Sequence, residues 1–236
     1  MGFTFKQFHI EQDHCGMKVG TDGVLLGAWA KGGKKILDIG TGTGLIALMM
    51  AQRHPKALIE AVEINSTAAE QAEKNFEHSP FKKRIILHKE SLQQFYEKMT
   101  SQNLLEHYDA IVSNPPFFIN SMKNSEQNKS MARHADTLPY QDLMKCGERL
   151  LHPNGTFSLI VPIDCKDKLE SEAVFNGFTI SKIVYLKTKM NKVTRRILVE
   201  FKKKSEGFDI EWQCLMDEQN NKSDWYKNLT KEFYIK

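Results

Sequence analysis

Cysteine is scarce in this chain of 236 residues: Cys15, Cys146, Cys165 and Cys214 are scattered, with no C-x-x-C pair. That disfavours both a disulfide framework and a zinc site. His9, His14 and Cys15 are close in sequence but read as surface or packed side chains, so no metal is expected. Long apolar runs are missing too. No stretch approaches the roughly eighteen residues of a membrane span. The opening Met1-Gly2-Phe3-Thr4-Phe5-Lys6 has neither the apolar core of a signal peptide nor the myristoylation pattern. A cytoplasmic, reduced protein that makes no membrane contact is the expectation. Charge of one sign is not in excess either: the formal net charge is only +4, with 26% charged and 41% apolar residues. Those proportions are ordinary for a globular protein. Internal repeats and low-complexity linkers are absent. The length suits one sizeable α/β domain over 1–236, with an N-terminal extension over 1–33 and a C-terminal one over 205–236.

The charge is unevenly placed. Between positions 182 and 204 lie Lys182, Lys187, Lys189, Lys192, Arg195, Arg196, Lys202, Lys203 and Lys204 against Glu200 alone. Nine cations against one acid make a local positive field that attracts phosphate backbones. A solvated hairpin face would carry the same charges, and the sequence leaves both readings open.

Phe3, Phe5, Phe8 and Ile10 suggest an extended segment with one apolar side. Thr21-Asp22 reads as a helix N-cap before an apolar stretch beginning at Val24. Strands are then expected over 35–39, 58–63, 84–88 and 108–113, with helices over 45–53, 67–78 and 92–99 between and after them. Such alternation implies a doubly wound, mostly parallel sheet with helices on both faces. A polar, aperiodic stretch covers 120–136, and a segment of that kind inside a domain is usually functional or mobile. Pro139 opens a helix to about 151, and 155–161 is a fifth strand. Residues 178–186 and 195–202 form an antiparallel hairpin closing the sheet. One more strand over 208–212 and an amphipathic helix within 223–234 complete the chain.

The chain is organised around Asp38-Ile39-Gly40-Thr41-Gly42-Thr43-Gly44, placed straight after the apolar Ile36-Leu37. Three glycines at alternate positions let the backbone turn tightly and approach a ligand with no Cβ in the way. The helix that follows presents its N-terminal N–H groups and positive dipole end to that ligand. The spacing G-x-G-x-G is neither the dinucleotide G-x-G-x-x-G nor a Walker loop, which needs G-K-[ST]. Asp38 would repel a diphosphate yet accept a hydrogen bond from an ammonium, so a zwitterionic amino-acid ligand fits better. A nicotinamide oxidoreductase is disfavoured on the same spacing.

This loop resembles motif I of the class I S-adenosylmethionine-dependent methyltransferases. That resemblance implies a Rossmann-like sheet with S-adenosyl-L-methionine bound along the loop by Asp38, Gly40, Thr41, Gly42 and Gly44. Glu63 ends the second strand nineteen positions after Gly44. An acid there can accept from both ribose hydroxyls, and in the family this position binds the cofactor's ribose. Glu90 and Ser91, at the end of the third strand, resemble the family's adenine-contacting position. Glu90 reads equally well as a surface acid. Thr21 matches the family's N-terminal motif near the methionine moiety.

A second motif, Asn114-Pro115-Pro116-Phe117, follows Ala110-Ile111-Val112 at the end of the fourth strand. The Asn114 side-chain oxygen and the Pro115 carbonyl can each accept one N–H of a planar amine. Consecutive prolines hold that carbonyl still, since proline fixes φ, and Phe117 offers a flat face for stacking a base. No charged base is needed, because the proton can leave after methyl transfer. The motif resembles [DN]-P-P-[FYW] of enzymes that methylate planar nitrogens, and Asn114 is counted with both catalytic and cofactor residues. That class includes DNA adenine and cytosine, RNA adenine, the guanine 2-amino group of ribosomal RNA, and the glutamine amide of release factors.

The run Ser113 to Phe118, with Ser121, Ala132-Arg133-His134 and Leu138, is similar to the bacterial tRNA-1(Val) adenine(37)-N(6)-methyltransferases. The opening Val19 to Gly27 and the terminal Leu229-Thr230 and Phe233-Tyr234 match the same family. Many of its members have Tyr where Phe117 stands, and stacking survives that change. The resemblance implies a target in the anticodon loop of a valine tRNA, with Phe118, Arg133, His134, Arg195 and Arg196 as candidate substrate contacts. Arg133 and His134 read equally as loop-to-helix capping residues. A loop base is already partly unstacked, so flipping it into a pocket costs less than extracting it from a duplex. A catalytically silent RNA-binding protein is disfavoured by the intact Asn-Pro-Pro-Phe.

Overall fold

The order of elements follows the apolar periodicity of the chain. A computed structural model describes residues 2–12, 19–116 and 138–235. Strands β1 (Phe3–Thr4) and β2 (His9–Ile10) pair antiparallel. Helix α1 (Thr21–Trp29) leads into β3 (Lys35–Ile39), α2 (Leu45–Arg53), β4 (Leu58–Val62), α3 (Ser66–Glu77), β5 (Ile85–His88), α4 (Leu92–Ser101) and β6 (Tyr108–Ser113). Then come α5 (Tyr140–Leu150), β7 (Leu151–Pro162), α6 (Lys166–Phe175), β8 (Thr179–Lys187), β9 (Arg196–Lys202), β10 (Asp209–Cys214) and α7 (Asp224–Thr230). Among the described residues no helix is long and apolar enough to cross a membrane.

Eight strands form one sheet in the order β10-β8-β9-β7-β6-β3-β4-β5. All neighbours run parallel except β9, which is antiparallel to β7 and β8. This is the doubly wound, mostly parallel sheet with a closing antiparallel hairpin that the sequence predicts. The chain winds outward from β3 through β4 and β5, then returns beside β3 as β6 and winds the other way. The direction therefore reverses between β3 and β6, where ligands of such sheets bind.

The period-two alternation of the strands divides the core into two layers. Ile36, Ile59, Ala61, Ala110, Val112, Ile160 and Leu198 pack with α1, α2, α3 and α7. Leu37, Ile39, Val62, Ile111, Leu159, Val161 and Val199 pack with α4, α5 and α6. The two ends of the chain cover the first layer together: Phe5 lies 4.7 Å from Phe8 and 6.0 Å from Tyr234, centroid to centroid. The Lys6 N–H donates to the Phe233 carbonyl at 2.8 Å.

Three differences from the sequence reading have physical causes, and the last strand, expected without an orientation, acquires one. Helix α1 starts one residue early, so its N-cap is Gly20, which has no side chain to bond, and Asp22 falls within the first turn, where its carboxylate pairs with Arg196. Strand β7 begins at Leu151 rather than 155, with an irregular register against β6 between Tyr108 and Ala110 that accommodates His152-Pro153-Asn154. Helix α6 has no sequence-based expectation: only Leu169 and Ala173 of its ten residues are buried, too few to print a helical period. Strand β10 runs parallel to β8, from Asp209↔Lys182 to Cys214↔Lys187, at the edge of the sheet.

Candidate active site

Register brings the two motifs together. Ile39 pairs with Ser113 across β3 and β6, so Gly40 and Asn114 leave the sheet side by side. The Ser113 hydroxyl donates to the Ile39 carbonyl at 2.8 Å and ties the two strand ends. Ile39 also pairs with Val62 on β4, which sets Glu63 on the other flank of the glycine turn. The carboxyl edge thus reads Asn114, Gly40, Glu63.

The turn has left-handed backbone at Gly40 (φ 71°), Gly42 (φ 59°) and Gly44 (φ 86°). A Cβ added at Gly40 or Gly42 would meet nothing within 4 Å, whereas one at Gly44 would run into the ring of Phe76. The first two glycines leave room above the turn and the third seats α2 against α3. Gly40 and Thr41 N–H groups are held by the Val62 carbonyl at 2.9 and 3.1 Å. Glu63 secures the rest: Oε2 accepts from the Gly42 N–H at 2.8 Å and Oε1 from the Asn65 N–H at 2.9 Å. Each oxygen keeps a lone pair for a ligand hydroxyl.

Asp38 sits beneath this turn, fully buried. Its Oδ2 accepts from the Thr41 hydroxyl at 2.6 Å and the Ala47 N–H at 3.0 Å, while Oδ1 is buried with no partner among the described residues. Burial pushes the carboxyl up to about 7; the bonds from Thr41 and Ala47 oppose that rise and the neighbouring Glu63 charge adds to it. The Oδ1 of Asn114 is likewise buried and, among the described residues, without a partner. An unsatisfied buried acceptor is costly, so two at one sheet edge mark where donors are missing. An open cradle, an acid that gains from an ammonium, a carboxylate beside the turn and an orphan amide oxygen fit an amino-acid-bearing nucleoside cofactor. Among the described residues no group of three or more His, Cys, Asp and Glu is placed to hold a metal ion.

The other expected residues fall in distinct places. Thr21 is the first residue of α1. Glu90 is held 3.5 Å from His88 Nδ1 and 3.6 Å from Lys98 Nζ. Ser91 caps α4: its Oγ accepts from the Gln94 N–H at 3.1 Å, and Gln94 Oε1 accepts from the Ser91 N–H at 3.0 Å. Pro115 is buried and Pro116 exposed. Arg195 is exposed at the start of the closing strand. Arg196 instead directs Nε to Asp22 Oδ2 at 2.7 Å, tying the hairpin to the first turn of α1. Phe117, Phe118, Arg133 and His134 lie outside the described residues.

One residue escaped the sequence reading. Asn75 of α3, 2% exposed, donates from Nδ2 to the Thr43 carbonyl at 2.8 Å and to the Glu11 carbonyl at 3.0 Å. Its Oδ1 accepts from the Glu11 N–H at 2.9 Å. It clamps the glycine turn to the N-terminal segment. The available signal was an amide on the helix face shared by Ala72 and Phe76.

A family model described as methyltransferase small domain matches residues 17–180. A tRNA1(Val) (adenine(37)-N6)-methyltransferase of Bacteroides thetaiotaomicron is 43% identical over 236 residues, covering 99% of this chain and 97% of that one. A protein of the same name from Bacteroides fragilis is also 43% identical, with 99% and 98% covered. Among solved structures, a predicted O-methyltransferase of Agrobacterium tumefaciens aligns with a TM-score of 0.70 over 90% of this chain and 96% of that one. At 17% identity that likeness concerns the fold.

Proposed function

The chain belongs to the methyltransferase small domain family and, within it, to the tRNA1(Val) (adenine(37)-N6)-methyltransferases, and from that premise we propose its reaction and the residues that carry it. It transfers a methyl group from S-adenosyl-L-methionine to the exocyclic N(6) amine of adenine in tRNA, at the adenosine 3′ of the anticodon of a valine tRNA. It does so in the cytoplasm, where tRNA is modified. The observation that carries this reading is the buried Oδ1 of Asn114, without a partner among the described residues, beside the open glycine cradle.

Bound S-adenosyl-L-methionine supplies a methyl group on a positively charged sulfur. Gly40 and Gly42 leave room for its amino-acid portion, Asp38 Oδ1 answers the ammonium, and Glu63 takes the ribose hydroxyls. Thr21 lies near the methionine end, and Glu90 and Ser91 near the adenine. Asn114 Oδ1 and the Pro115 carbonyl each accept one N–H of the target amine. Held so, the nitrogen turns its lone pair toward the methyl carbon. With the cofactor bound, its sulfonium would supply the methyl and keep the C–S electron pair, and the amine proton, held by Asn114 Oδ1 or the Pro115 carbonyl, would pass to water. Positioning supplies the rate enhancement. Phe117 stacks the flipped base, and Phe118, Arg133, His134, Arg195 and Arg196 are the further RNA contacts in this reading.

Asn114→Ala removes one of the two acceptors without touching the glycine turn. Expected is a loss of about 100-fold or more in kcat, with the dissociation constant for S-adenosyl-L-methionine within about threefold of the parent. Turnover near the parental rate would remove Asn114 from the mechanism.

A further inference from the structure

Strand β10 keeps large apolar groups in water. Trp212 is 62% exposed and Ile210 44%, on an edge strand that has no second strand partner among the described residues, and Phe208, just before the strand, is 53% exposed. Exposed aromatics on an open edge invite aggregation, and proteins keep them where a partner covers them. Trp212 is not isolated. It pairs in register with Tyr185, and the rings stack 5.4 Å apart at 15°. Register places Lys187 one step further on the same face, beside Cys214.

The turn that follows, residues 188–195, carries Lys189, Lys192 and Arg195 and no acidic residue. Its apolar side chains, Met190 and Val193, are 73% and 72% exposed. Strand β8 is antiparallel to β9, which is antiparallel to β7, so β8 runs the same way as β6. The turn and the carboxyl end of β10 therefore leave the sheet on the edge that bears Asn114. At about 4.8 Å per strand, β8 and β10 lie about 14 and 19 Å from β6. That is roughly four to six nucleotides at about 3.4 Å of stacked rise. Stacked aromatic rings beside a run of cations, on the reacting edge, match an RNA strand better than a protein segment.

We propose that Tyr185 and Trp212, with Lys187, Lys189, Lys192 and Arg195, form a docking platform for the substrate RNA. An unpaired base a few nucleotides from the target stacks on the open face of Trp212, and the flanking phosphates meet the cations. This rests on the reading that RNA is the substrate. It assigns the RNA path across the sheet edge and gives the exposed strand a purpose.

The test uses the full chain, S-adenosyl-L-methionine and the valine tRNA transcript. Trp212→Ala should raise KM for the tRNA about tenfold or more, leaving kcat and cofactor affinity at parental values and lowering Tm only by the few degrees that loss of the Tyr185 stack costs. Trp212→Phe keeps a ring and should stay within about threefold of the parent in KM. It should also lose most of the RNA-induced quenching of tryptophan emission, which Trp29 and Trp225 would not replace. Lys189→Gln with Lys192→Gln should lower the dependence of tRNA affinity on salt by about two. An unchanged KM in Trp212→Ala overturns the platform, as does an altered sedimentation coefficient without a change in KM, which would assign the patch to contact between copies. No methylation of RNA by the parent protein would instead overturn the reading beneath it.

Discussion

Alanine at Gly42 and alanine at Gly44 should injure the protein in different ways. Both glycines have left-handed backbone, at φ 59° and 86°. That conformation costs an L-residue about 1–2 kcal/mol. At Gly42 nothing else is added, because the new Cβ meets nothing within 4 Å. For a chain of this size the melting temperature should fall by roughly 2–8 °C. At Gly44 the new Cβ strikes the Phe76 ring, which is only 5% exposed and has little room to yield. Overpacking adds about 1–3 kcal/mol, so the fall should reach roughly 4–20 °C. Cofactor affinity should follow the opposite order. The Cβ at Gly42 stands in the cradle and should weaken S-adenosyl-L-methionine at least about tenfold, or about 1.4 kcal/mol. Gly177→Ala is the control: it too has positive φ (81°) and open space, but it lies after α6, at the other edge of the sheet. It should cost the same stability and no affinity. Calorimetric melting and cofactor titration of the three variants decide the matter. If Gly42→Ala binds cofactor as Gly177→Ala does, the open space above the turn is not the binding cradle.

Asp38 gives a signed pH dependence. Its carboxyl is held near 7 in the folded chain against an ordinary 3.8. The folded state therefore holds the proton more tightly, and this group's contribution to stability falls as pH rises from about 4 to about 7. Asp38→Asn should flatten the melting temperature over that window, and a parent curve no steeper than the variant's would contradict the assignment. An ammonium against Oδ1 favours the ionised form, so calorimetry below pH 7 should show a proton released on cofactor binding. Ser91→Ala removes the cap of α4 and should cost about 1 kcal/mol, a few degrees in melting temperature; no change would mean that the capping box contributes nothing.

Much of the central sheet was legible because its signals are local. The ends of β3 and α2 fall where Ile39, Gly44 and Arg53 place them, since an apolar run, a glycine turn and a new period occur within a few residues. Glu63 was legible by its distance from the turn, but its grip on the Gly42 N–H depends on β4 lying beside β3. The pairing of Arg196 with Asp22 joins residues 174 apart, which no window of sequence contains. The basic hairpin was visible as composition. That its turn opens on the reacting edge, beside Trp212, follows only from strand direction.

The central claim is that Asn114 and the glycine turn form one site for methyl transfer to an adenine amine. The most direct test is to incubate the protein with labelled S-adenosyl-L-methionine and unmodified tRNA, digest the RNA and identify the labelled nucleoside. The account predicts label in N(6)-methyladenosine at the adenosine 3′ of the valine anticodon, entering at least about 100-fold more slowly with Asn114→Ala. Label in another nucleoside, or none in any tRNA while S-adenosyl-L-methionine still binds, would contradict it.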